Sequence, residues 1–94
     1  MVRTEDDRLY SGVSTDVRRR YKEHQAGGAR AAKYLKAHHP HSLVFVMPVG
    51  SRSLAQKVEY YLKRLPRGCK EAVIKRQKLV FDPYSGKISI ERIA

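Results

Sequence analysis

Five consecutive apolar residues, Leu43-Val44-Phe45-Val46-Met47, stand in a chain of 94 residues of which 31% are charged, and Pro48 ends the run. A run of that length between turn signals reads as the central strand of the sheet, buried on both faces. Ninety-four residues suffice for one domain with one modest core. The rest of the chain must therefore cover this strand. The clearest cover is a second apolar pattern of different period. Leu54, Val58, Tyr61, Leu62 and Leu65 recur at helical spacing and predict a helix over residues 53–65, ended by Pro66 and Gly68.

The remaining elements are short. Residues 1–3 and 8–13, separated by the polar turn Thr4-Glu5-Asp6-Asp7, predict an N-terminal hairpin. Ser14-Thr15-Asp16 predicts a helix start, with the helix over residues 16–25 and Gly27-Gly28 after it. Residues 29–37 read as a short basic helix or ordered loop, and residues 70–76 as a second short helix. Near the end, Asp82-Pro83-Tyr84-Ser85-Gly86 is a turn sequence, so residues 77–94 read as a C-terminal hairpin extension to a core of residues 1–76. The order predicts an α+β fold in a single domain, residues 1–94, with a small antiparallel sheet flanked by helices.

Charge narrows the function. Twenty Lys and Arg against nine acids give +11 at neutral pH and a pI near 10.2. Such a balance implies a polyanionic partner, nucleic acid before membrane surface, because no basic helix with a bulky exposed apolar face is present. No apolar stretch approaches the ~20 residues of a membrane span, and no signal peptide is recognisable. The single Cys69 makes an internal disulfide impossible, and a cytoplasmic setting is expected. His38, His39 and His41 beside Pro40 read as a polar loop end rather than as metal ligands.

The stretch Leu9 to His24 carries the chemistry. Tyr10 lies at a strand end, and Arg20 and His24 lie one helical turn apart beside Val17 and Tyr21. A phenol, a guanidinium and an imidazole facing one space are parts suited to phosphodiester chemistry. At Tyr10-Ser11-Gly12 the chain resembles the GIY-YIG nucleases, and more closely their small stand-alone bacterial members. The triplet stands where the YIG motif is expected. Arg20 then matches the helix arginine, His24 a frequent histidine, and Arg52-Ser53 followed by Glu59 the helix that supplies a metal-binding glutamate.

The resemblance implies a three-stranded antiparallel sheet and hydrolysis of DNA, favoured over RNA, by an endonuclease in repair or recombination with one magnesium ion. By the same resemblance the catalytic residues are Tyr10, Arg20, His24 and Glu59, with Glu59 as the metal ligand. Magnesium suits one carboxylate, its shell completed by water and phosphate oxygens. Arg20 would offset phosphate charge. Tyr10 would accept a proton, and His24 would orient the water or share that task. Arg18, Arg19, Arg30, Lys33, Lys36 and Arg52 are the candidate nucleic-acid contacts.

Plainer roles stand beside these. Tyr10 fits an ordinary strand aromatic, Arg18 and Arg19 a solvated helix face, His24 the edge of the core, and Glu59 a surface acid paired with Lys63. The chain also departs from the family pattern. The first-motif GIY tyrosine is absent from the sequence, and Ala29-Arg30-Ala31-Ala32-Lys33-Tyr34 replaces a glycine-containing basic loop. A catalytically silent nucleic-acid-binding module on the same fold is therefore the alternative, with a small ribosome-associated protein behind it. The residues as written are expected to bind nucleic acid and cleave poorly, since a positioned base contributes ~10²–10⁴-fold. An upstream extension of about five residues, the length of an ordinary strand, with tyrosine at the GIY position should raise magnesium-dependent nicking of labelled DNA. Equal nicking by both forms would show Tyr10 to be a sufficient base.

Overall fold

The structure, a computed structural model, describes residues 1–90. The chain forms two compact units, residues 1–46 and residues 47 onward.

The first unit is built on a hairpin whose turn is tied by Thr4. Strand β1 (Val2–Thr4) pairs antiparallel with β2 (Leu9–Tyr10), Val2 opposite Tyr10 and Arg3 opposite Leu9. Buried Thr4 receives the Arg8 N–H on its hydroxyl at 2.9 Å and donates that hydroxyl to Asp6 Oδ1 at 2.6 Å. Asp7 takes the left-handed conformation the turn requires (φ 61°), which aspartate tolerates better than most residues.

On its other edge β1 pairs antiparallel with β3 (Pro40–Leu43), giving the sheet order β2-β1-β3. The three-stranded antiparallel sheet is thus present, with a different centre from the one expected. The central strand is β1, and β3 is an edge strand that ends where the apolar run begins. The ladder closes at Val2 opposite Leu43, after which the Met1 carbonyl accepts both the Val44 and Phe45 N–H groups. The strand stops at Leu43, because Val44 and Phe45 share the single Met1 carbonyl instead of continuing a regular ladder of alternating bonds. Phe45 is buried, but Val46 is 50% exposed, so the run is not buried throughout.

Helix α1 (Val17–Ala26) starts on Asp16, whose carboxylate accepts the Arg19 N–H, and stops at Gly27 in the left-handed conformation (φ 68°). It packs against β3. A turn then leads into α2 (Lys33–Ala37), which sends Leu35 fully into the core with Met1, Val2, Ala31 and Phe45.

The second unit is helical with a hairpin tail. Ser51 caps α3 (Arg52–Arg64) by accepting the Leu54 N–H at 3.1 Å. Pro66 separates α3 from α4 (Arg67–Arg76), which starts three residues before the expected position and ends at Gln77 in the left-handed conformation. Val58, Leu62, Leu65, Val73, Leu79 and Ile88 are its buried apolar residues. Phe81 bridges Ile88 across the expected tail turn, and Gly86 (φ 74°) sits directly on α3. A Cβ there would lie 2.6 Å from Lys57 Cβ and 2.9 Å from the α3 backbone. Residues 91–94 of the expected extension lie outside the described residues.

Leu35 is the most fully enclosed leucine of the first unit, so Leu35→Ala removes contacts on every side. The expected loss is ~2–5 kcal/mol of unfolding free energy, read by urea denaturation. A loss under about 0.5 kcal/mol, the surface-substitution range, would mean that α2 does not hold this core.

Candidate active site

In the first unit, strand β2 and helix α1 bring Tyr10 and His24 together. Their rings meet edge-on, with centroids 6.0 Å apart and planes at 75°. Tyr10 sits at the strand end opposite Val2, and His24 sits in the last turn of α1. The histidine is only 5% exposed, and its Nδ1 accepts the Ala32 N–H at 3.0 Å. That bond puts the imidazole proton on Nε2. Burial, then the positive charge of Arg20, push the His24 pKa below the usual histidine value, and Glu23 opposes this. His24 is therefore neutral at pH 7, with its ring proton on Nε2.

One turn earlier, Arg20 Nη1 donates to Glu23 Oε2 at 3.0 Å and to the Arg30 carbonyl. Arg20 and His24 thus hold the two ends of the segment from Arg30 to Ala32 that starts α2. The held helix presents Tyr34, which lies nearly parallel over Tyr10 at 5.6 Å. Beyond it His38 approaches Tyr34 at 4.5 Å, and His38 Nδ1 lies 2.6 Å from Asp6 Oδ2. The Thr4 hydroxyl and His38 pull the Asp6 pKa down to about 2, so the row ends on a permanent negative charge. His24, Tyr10, Tyr34, His38 and Asp6 form one continuous series of contacts.

Sequence reasoning singled out Tyr10, Arg20 and His24 and missed Tyr34, His38 and Asp6 as their neighbours. Stacking between a strand and a later helix leaves no mark of periodicity. The only available signal was the tyrosine of the basic segment. Arg18 and Arg19 are exposed on α1, Arg19 beside Glu23 at 3.7 Å, and Arg30, Lys33 and Lys36 are exposed around α2.

The second unit carries Arg52 and Glu59, both on α3. Arg52 is exposed in the first turn. Glu59 is half-buried, with its side chain 26% exposed and Oε1 3.3 Å from Lys63 Nζ, the expected i,i+4 pair. Among the described residues no three His, Cys, Asp or Glu side chains cluster as a ready-made metal cage. The donor on offer is a single hard carboxylate at a water-accessible position. That fits magnesium, which keeps most of its waters and takes one or two carboxylates.

A GIY-YIG catalytic domain matches residues 1–72, across both units. The chain belongs to the GIY-YIG family, which is a family of nucleases acting on nucleic acid and generally dependent on a metal. It is similar to the UPF0213 protein YhbQ of Escherichia coli K12, 46% identical over 74 residues that cover 79% of this chain and 72% of that protein. The YhbQ protein of Escherichia coli O127:H6 is 45% identical over the same shares. No solved structure matches. No helix among the described residues is long and apolar enough to cross a membrane.

The His24 environment sets a pH dependence. Its folded pKa lies below the unfolded value of about 6.5, so the unfolded chain binds the proton first as pH falls. Stability from this group is complete above pH 6.5 and declines below it. Urea midpoints should fall from pH 7 to pH 5 in the native chain and fall less in His24→Gln. An imidazole titrating at or above pH 6.5 by NMR would contradict the Ala32 bond.

Proposed function

We infer that this chain is a metal-dependent endonuclease that hydrolyses phosphodiester bonds in cytoplasmic DNA, in repair or recombination, with both units serving one nuclease domain. The observation that supports this most is the contact of Tyr10 with a neutral, Nε2-protonated His24 beside Arg20, inside the family match.

The roles follow from protonation states and donors. Glu59 would hold magnesium through its carboxylate, exchanging the Lys63 contact for the cation. Bound there, the ion would supply charge stabilisation at the phosphate and leaving oxygen. As a phenolate, Tyr10 would accept the proton of the attacking water and return to the neutral phenol. His24 orients rather than abstracts, since its Nδ1 lone pair is committed to Ala32 and its Nε2 carries hydrogen. Arg20 makes both of its contacts through Nη1, so its other N–H groups remain to bind a phosphate oxygen. Tyr34 holds the Tyr10 ring in orientation by stacking. Arg18, Arg19, Arg30, Lys33, Lys36 and Arg52 contact phosphates along the strand without reading sequence.

One observation favours the second reading, a silent nucleic-acid-binding module. Arg20 is already neutralised by Glu23, and a guanidinium so paired gives up that partner only for a stronger anion. Glu59→Gln separates the two readings, because it keeps size and removes the charge that holds the cation. In the chain extended upstream with tyrosine at the GIY position, magnesium-dependent nicking of labelled DNA should fall ~10²–10³-fold, the scale of losing one electrostatic stabiliser. DNA affinity measured without metal should stay unchanged. Nicking undiminished by the substitution would place the metal elsewhere, and an absence of nicking in both folded forms would favour the silent module.

A further inference from the structure

The charge of this chain is concentrated outside the Tyr10 site. Residues 47–90 carry ten Lys and Arg against three acids, while residues 1–46 carry nine against five. The tail hairpin, beyond the family match, adds a groove to this basic unit. Ser53, Gln56, Lys57, Tyr60 and Tyr61 of α3 and Ser85 of the tail turn line an open space of about 420 Å³. Gly86 seats the turn against the α3 backbone so closely that no side chain fits between them.

Tyr60 lines this groove, and Tyr84 adjoins its lining residue Ser85; both rings are largely open to solvent. Tyr84, at the tip of the turn, is 85% exposed, and Tyr60 is 51% exposed. Their mounting is rigid. Asp82 Oδ1 accepts the Tyr84 and Ser85 N–H groups, both at 2.8 Å, and the Tyr84 carbonyl accepts from Lys57 Nζ at 3.3 Å. Tyr60 is held by Tyr61, perpendicular at 5.2 Å, and by the Arg64 guanidinium, 4.3 Å from its ring centroid. Exposed aromatic faces on fixed backbone, set among cations, are the two components of a surface for unpaired strands. The rings stack on bases and the cations follow phosphates. A duplex offers such a surface only phosphates, because its bases are already stacked.

We propose that the groove between α3 and the tail hairpin is a binding site for single-stranded DNA, with Tyr84 and the Tyr60–Arg64 pair stacking on unpaired bases and Lys57 contacting the backbone. The site lies outside the catalytic assignment and binds whether or not the chain cleaves.

The test measures fluorescence anisotropy of the full chain in EDTA, with labelled single strands of about twelve nucleotides, within the usual span of one strand-binding fold. The probes are oligo-dT, an abasic strand of equal length and charge, and a duplex. The native chain should prefer oligo-dT to the abasic strand by about fivefold or more, the lower end of stacking on one base. Tyr84→Ala and Tyr60→Ala should each remove most of that preference and leave abasic and duplex affinities unchanged, while Tyr84→Phe should keep it. Tyr84 buries so little that its loss spares the fold, which thermal unfolding checks. Equal native affinity for oligo-dT and the abasic strand, or alanine variants that weaken all three probes alike, would overturn the proposal. Because the assay contains no metal, either failure leaves the nuclease reading to stand or fall on Glu59→Gln.

Discussion

Two hydrogen bonds from α1 hold the first unit's functional surface in place. His24 Nδ1 takes the Ala32 N–H, and Arg20 donates to the Arg30 carbonyl. The segment between them has no strand partner and precedes a helix of five residues, too short to be stable alone. Those two anchors, with the Ala31 N–H bond to the Gly28 carbonyl and the burial of Leu35, fix where α2 begins and hence where Tyr34 meets Tyr10. The residues assigned to catalysis are thus also residues that build the site. The arrangement couples protonation to shape, because a proton on Nδ1 would compete with the Ala32 N–H for the same lone pair.

Much of the fold was legible because its signals are local. The Asp16 start of α1, the apolar stripe of α3 and the 82–86 turn appear where propensity and spacing put them. The hairpin was legible from its polar turn, although Thr4, which ties that turn, carries no obvious mark of burial. The centre of the sheet was not legible. Five apolar residues in a row signal burial but do not identify a hydrogen-bonding partner, and here the ladder ends at Leu43, where the run starts.

The site shows the same division. Tyr10, Arg20 and His24 were found because a strand end and a helix turn dictate where such side chains point. The Glu59–Lys63 pair follows from helical spacing alone. Tyr34, His38 and Asp6 join the row through contacts between elements distant in sequence, which no window of residues encodes. The concentration of charge in residues 47–90 could be counted from the sequence, but its meaning depends on the tail turn seated on α3.

Gly86 and Asp82 give the tail turn an unusual combination of properties. The most exposed large hydrophobic residue among the described ones, Tyr84, is carried on backbone whose amide is bonded to a carboxylate. Side-chain accessibility and backbone freedom usually rise together at a loop tip, and that is where proteases cut. Here they are separated. A protease specific for aromatic residues would find Tyr84 in full view yet be unable to draw the chain out into an extended form. Amide exchange at Tyr84 and Ser85 would be slow beneath a ring that water surrounds. The turn therefore behaves as part of the α3 scaffold, and lengthening or loosening it would change the surface of the helix as well as the loop.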